Sequence, residues 1–128
     1  MTITEKQVKQ IEYAILHGLT LWETAAYTGA SLPSVKYYRN KMGDVSVYQD
    51  RPGGDTKHAY FLLDFLAGTD EPLDDDAIYK HICGNRSGAA PKKDDLSALL
   101  HWLEEINIVS AERHDDKIKY RRNDAPWM

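Results

Sequence analysis

Apolar positions in the first forty residues recur with the period of a helix. Val8, Ile11, Ile15 and Leu19 fall three or four residues apart, which predicts an amphipathic helix over residues 5–17 that Gly18 helps to end. Thr20 then offers an N-cap for a short helix from Leu21 to Tyr27 that breaks at Gly29. Ser31 offers a cap for a third helix over 32–42, with Pro33 tolerated in its first turn. The small Ala25, four residues before Gly29, lets two helices approach closely, and Gly29 supplies a turn conformation that a side chain disfavours. On the third helix Leu32, Val35, Tyr38 and Met42 make an inner stripe, with Ala30 also directed inward. Pro33, Lys36, Tyr37, Asn40 and Lys41 face outward.

Asp50, Arg51, Pro52, Gly53, Gly54 and Asp55 interrupt both helical and strand patterning and mark a boundary. Beyond it, Ala59, Leu62, Leu63 and Leu66 lie on one stripe with Phe61 and Phe65 beside it, a helix closed by Gly68 and Pro72. Asp74 caps the next helix, Asp75 and Asp76 suit its positive end, Ile78 and Ile82 sit one turn apart, and Gly84 ends it. After a loop over 85–91, Leu96, Leu99, Leu100, Leu103 and Ile106 define the clearest helix of the chain. From Asn107 the period changes to alternation. Val109 and Ala111 face one way, Asp115 and Asp116 turn the chain, and Ile118 and Tyr120 resume the apolar face, which predicts a hairpin with Lys117, Lys119 and Arg121 exposed. The expected fold is mainly α, a three-helix unit over 1–49, a linker over 50–56, a second unit of three helices and a β-hairpin over 57–123, and a tail over 124–128.

Composition narrows the function classes. The chain has 128 residues, 42% of them hydrophobic and 28% charged, with a net charge of −4; this describes a soluble globular chain whose overall field does not attract nucleic acid, so any such contact is local. Up to residue 55 six basic residues balance six acidic ones, whereas ten basic face fourteen acidic afterwards, so the acidity belongs to the second unit. The third helix runs against that trend: residues 31–43 contain Lys36, Arg39 and Lys41 and no acid. Lysines and arginines neutralise phosphates, a helix N-terminus with Ser31 or Ser34 suits a phosphate, and Asn40 has the amide geometry that pairs with adenine in the major groove.

Chemistry of other kinds finds little support. The single Cys83 excludes an internal disulfide and reads as a small core residue. His81 and Cys83 lie on different faces of one helix, and His17, His58, His101 and His114 are scattered without zinc spacing. The Asp74-Asp75-Asp76 run is explained by capping and the helix dipole before Mg²⁺. Gly84, Gly88 and Pro91 lack the G-K-[ST] phosphate-loop signature, and no nucleophile elbow occurs. A non-enzyme without metal or cofactor is expected. No segment approaches the roughly 20 apolar residues of a membrane span, and the charged N-terminal start does not have the pattern of a signal peptide, so the expected location is the cytoplasm.

Thr24-Ala25-Ala26-Tyr27-Thr28-Gly29-Ala30-Ser31 followed by Val35 resembles the helix-turn-helix of bacterial and phage DNA-binding proteins. Its ending, Ser31-Leu32-Pro33-Ser34-Val35-Lys36-Tyr37-Tyr38-Arg39, is similar to the recognition helix of MerR-type regulators; the segment from Asp44 to Tyr48 does not carry that family's Arg-rich wing. The opening Thr4-Glu5-Lys6-Gln7 helix together with this motif also resembles the N-terminal domain of phage terminase small subunits. Residues 57–122 resemble a winged-helix domain in the order of their elements, with the hairpin as wing. These resemblances imply a sequence-specific regulator of transcription, a repressor of phage or plasmid type, that binds double-stranded DNA as a homodimer and reads the major groove with the helix 32–42. The implied DNA-contacting residues are Ser31, Pro33, Ser34, Lys36, Tyr37, Arg39, Asn40 and Lys41, with Lys117, Lys119 and Arg121 on the wing. Two alternatives stand beside this: a DNA-packaging adaptor, and a protein-interaction module or inhibitor that turns the acidic second unit to a basic partner.

Overall fold

The structure, a computed structural model, describes residues 3–44, 56–69, 71–84 and 92–128. These are mainly helical, with a small three-stranded antiparallel sheet. The elements run α1 (Glu5–Leu16), α2 (Leu21–Thr28), α3 (Leu32–Met42), α4 (Thr56–Ala67), β1 (Leu73–Asp74), α5 (Asp75–Gly84), α6 (Lys93–Glu105), β2 (Val109–His114) and β3 (Lys117–Arg122). The expected linker over 50–56 lies outside the described residues except for Thr56, which opens α4, and the expected loop over 85–91 lies outside them altogether.

Short-range chemistry sets the helix ends. The Thr4 hydroxyl accepts from the Gln7 amide while the Gln7 side chain accepts from the Thr4 amide, each at 3.1 Å, and Thr20 and Glu23 repeat this reciprocal cap on α2. Ser31 caps α3 through the Ser34 amide. Asp74 caps α5 by accepting from the Ala77 amide at 2.8 Å. α2 stops at Gly29, which is left-handed with φ 79°. A Cβ there would meet no atom within 4 Å, so the glycine is required by its backbone conformation and not by crowding. Gly29→Ala is therefore expected to cost about 1 kcal/mol, the price of holding an L side chain in the left-handed region, and Gly29→Asn less; urea unfolding of the three proteins checks both. Past the C-cap Ile106 of α6, Asn107 is left-handed (φ 65°), and the Ile108 amide donates to the Leu103 carbonyl at 2.9 Å.

Packing joins the two halves of the chain. Ile11, Ile15, Ala30 and Val35 form a small core among α1, α2 and α3, flanked by Leu21, Tyr38 and Met42. On the opposite side, Ala14 of α1, Tyr27 of α2 and Leu19 between the two helices join the main core, which continues through Leu62, Leu66, Ile78, Ile82, Leu100, Leu103 and Ile108. Polar links run the same way. The Tyr27 hydroxyl donates to the Asn123 carbonyl at 2.5 Å, Tyr13 to the Ile106 carbonyl at 2.6 Å, and the Gln10 amide to the Asp124 carbonyl at 2.7 Å. Arg122 donates back to the Tyr27 carbonyl and lies over the Tyr27 ring. Burial pushes the Tyr27 phenol well above its ordinary value. Lys6 pairs with Asp124 at 2.6 Å and holds its carboxyl below the usual range. The segment expected as a tail thus packs on α1, with Pro126 buried and Lys9 over the Trp127 ring.

Three details differ from the pattern of the sequence. The hairpin forms with the expected faces, pairing Ala111 with Tyr120 and Arg113 with Ile118, but Leu73 and Asp74 add a third strand against Tyr120 and Lys119, giving the order β1-β3-β2. Two residues are too few to show alternation. Lys119, expected to be exposed, is half-buried because β1 covers that edge of β3. Cys83, expected in the core, is half-buried near the end of α5, since Ile78 and Ile82 occupy the inward positions.

Candidate nucleic-acid interface

α3 is held on its inner side by Val35, fully buried, and by half-buried Leu32, Tyr38 and Met42. That stripe fixes which side faces solvent. Pro33, Lys36, Tyr37, Asn40 and Lys41 are all exposed, as the helical period predicts, and Tyr37 presents 57% of its surface. The helix has 11 residues, hence a length of about 16 Å and some three turns, which is the size of element that a major groove admits.

The polar groups on this face are unequally committed. Among the described residues no carboxylate pairs with Lys36 or Lys41. Lys41 lies 5.5 Å from the Tyr37 ring centre and 6.0 Å from that of Tyr38, and the two rings meet edge to face at 5.1 Å. This contact gives a pair of long side chains a preferred arrangement on the surface while leaving the ammonium its charge. Asn40 is exposed one turn from Lys36. Arg39 is half-buried, and its guanidinium donates to the Gly43 carbonyl at 3.0 Å, where it satisfies the end of its own helix. Ser31 is similarly occupied, accepting from the Ser34 amide while its hydroxyl and that of Ser34 lie 2.9 Å apart. The expected set therefore divides: Lys36, Tyr37, Asn40 and Lys41 are presented outward, and Ser31, Ser34 and Arg39 serve the helix ends. The nearest acid on α2, Glu23, is buried in its own capping box.

The hairpin presents a different balance. Lys119 stands opposite Glu112 on β2 and Asp74 on β1, and Lys117 lies 3.6 Å from the Asp74 carboxylate. Arg121, opposite Ser110, is exposed and has no carboxylate partner among the described residues. It borders a polar recess of about 230 Å³ with Thr69, Arg122 and Asp124. Of Lys117, Lys119 and Arg121, the two lysines are set beside acids, whereas Arg121 matches the lysines of α3 in availability.

Trp22, 61% exposed, and the recess it borders with Tyr60 and Asp64 were absent from the residues expected to matter. Trp22 and Tyr60 belong to helices predicted separately, and no periodicity within either one indicates that their faces adjoin. Among the described residues no group of three or more histidine, cysteine or carboxylate side chains is placed to hold a metal, and no helix is long and apolar enough to cross a membrane. No family model, curated protein or solved structure matches this chain.

Proposed function

We propose that the protein is a sequence-specific double-stranded DNA-binding regulator of transcription that inserts α3 into the major groove. The observation that carries this reading is the outward face of α3, where Lys36, Tyr37, Asn40 and Lys41 stand exposed on a helix that itself carries no acid, in a chain of net charge −4. A protein repelled by phosphate as a whole needs a local cationic face, and this is where one lies. The turn between α2 and α3 supports it further. Gly29 and the Ser31 cap set two short helices at a fixed angle on a shared core, the arrangement by which a helix-turn-helix presents its second helix.

The second half, in this reading, is winged-helix-like. Its order of helix, short strand, two helices and hairpin, with the short strand paired to the hairpin, supports that description. The acids of α6, Asp94, Asp95, Glu104 and Glu105, are exposed and oppose close phosphate contact, so the second unit contributes through Arg121 at the wing or serves to position α3. Action is as a repressor in cytoplasm, by binding alone, with no cofactor. One helix contacts few base pairs, so two half-sites bound by a homodimer, or both units on one site, supply specificity.

Selection from a random duplex library tests the proposal. The wild type is expected to enrich a defined motif. Asn40→Ala and Tyr37→Ala are expected to flatten the preference at one or two positions, by about 1–3 kcal/mol of discrimination for the amide contact, with residual affinity for random DNA retained. Failure to enrich any motif, or identical motifs from all three proteins, removes α3 as the reading element.

A further inference from the structure

The recess between α2 and α4 carries an inference independent of the DNA reading. It is an open groove of about 410 Å³ running from the α2–α3 turn to the end of α4. Trp22 and Tyr60 stand at its border with their rings edge to face at 6.3 Å, and Phe61, 42% exposed, continues the aromatic surface from Tyr60 at 5.5 Å. Ala25 and Gly29 contribute to its lining, and among the described residues that line it Asp64 is the one charged group. Asp64 is exposed and has no basic partner among the described residues.

An exposed tryptophan beside a shallow recess floored by small residues and open to polar contacts is the composition of an interface anchor, because the few residues that dominate protein contacts are enriched in large amphipathic rings. The charge decides the occupant. A second copy of this chain seated groove to groove about a two-fold axis near Asp64 brings two Asp64 carboxylates into one small, partly dehydrated patch, with no basic residue among the described lining residues to offset them. A segment of another protein that carries a large apolar side chain beside a lysine or arginine fills the recess and pairs with Asp64. We infer that the α2–α4 groove docks such a segment, taking its apolar side chain against Trp22 and Tyr60 and its cation at Asp64.

Selection of a displayed library of random 12-residue peptides on the immobilised full-length protein tests this. The wild type is expected to enrich peptides that combine an aromatic or large aliphatic residue with lysine or arginine, and Asp64→Lys is expected to shift the enrichment to aspartate and glutamate. Trp22→Ala is expected to weaken the selected peptides about tenfold or more. Trp22 and Asp64 are both exposed, so both variants are expected to melt with the wild type, and Asp64→Lys keeps the test informative should Trp22→Ala lose stability. No enrichment, enrichment indifferent to the charge at position 64, or a dimer by light scattering that Trp22→Ala dissociates overturns the inference, the last by making a second copy the occupant.

Discussion

Tyr27→Ala is expected to destabilise the protein by about 4 kcal/mol, in the range measured when a large aromatic is removed from a core, and to lower the melting temperature by roughly 10–15 °C. Among the described residues Tyr27 is the largest side chain with no exposed surface. It sits where the three N-terminal helices meet the remainder, its ring in the main core, its hydroxyl on the Asn123 carbonyl and its own carbonyl receiving the Arg122 guanidinium. Tyr27→Phe keeps the ring and leaves the Asn123 carbonyl without that donor, so about 1 kcal/mol is expected. Combined with Arg122→Ala in a double-mutant cycle, Tyr27→Phe is expected to show little coupling, because Arg122 meets the ring and the backbone. Tyr27→Ala is expected to couple with Arg122→Ala by about 1 kcal/mol or more, because the ring is lost. Urea unfolding followed by both fluorescence and circular dichroism checks these values. Coincident single transitions that shift together show that the halves fold as one cooperative unit. Two transitions, of which Tyr27→Ala moves one, show that the first 49 residues and the second unit fold separately.

The features legible in the sequence are those written within a few residues of one another. The pairs Thr4–Gln7 and Thr20–Glu23, the caps Ser31 and Asp74, and the left-handed Gly29 each act over at most three or four positions. The elements therefore begin and end close to where composition and spacing place them. The outward set of α3 follows from the inner stripe by the geometry of one helix, and the hairpin from its alternation about Asp115 and Asp116. The clamp formed by Tyr27, Arg122 and Asn123 was not legible, because it joins positions some 95 residues apart and each residue alone reads as an ordinary member of a helix or strand. The same is true of β1, which exists because Leu73 and Asp74 find Tyr120 and Lys119. The half-burial of Lys119 follows from that pairing, as does the closeness of Lys117 to Asp74. Within the candidate site, the number of lysines was legible and their availability was not. Arg39 and Lys36 look equivalent in the sequence, yet one donates to Gly43 and the other meets no carboxylate among the described residues.

That difference sets the remaining prediction, the response of DNA binding to salt. Each phosphate neutralised by a protein cation steepens the dependence of log affinity on log salt by about 0.9. If Lys36 and Lys41 each meet a phosphate, the Lys36→Ala/Lys41→Ala protein is expected to bind random duplex more weakly by about tenfold or more at low salt, with a slope shallower by about 2. Arg39→Ala is expected to leave the slope nearly unchanged and to act mainly through the end of α3, since its guanidinium already serves the Gly43 carbonyl. The wing separates in the same experiment. Arg121→Ala is expected to reduce the slope by about 1 if the hairpin touches the backbone, whereas Lys119→Ala, opposite Glu112 and Asp74, changes it little. Fluorescence anisotropy across a salt series measures all four variants on one duplex. Absence of binding at low salt, or a slope that the double variant leaves intact, removes α3 from the interface and turns attention to proteins as partners, with the exposed acids of the second half and the Trp22 groove as the surfaces to follow.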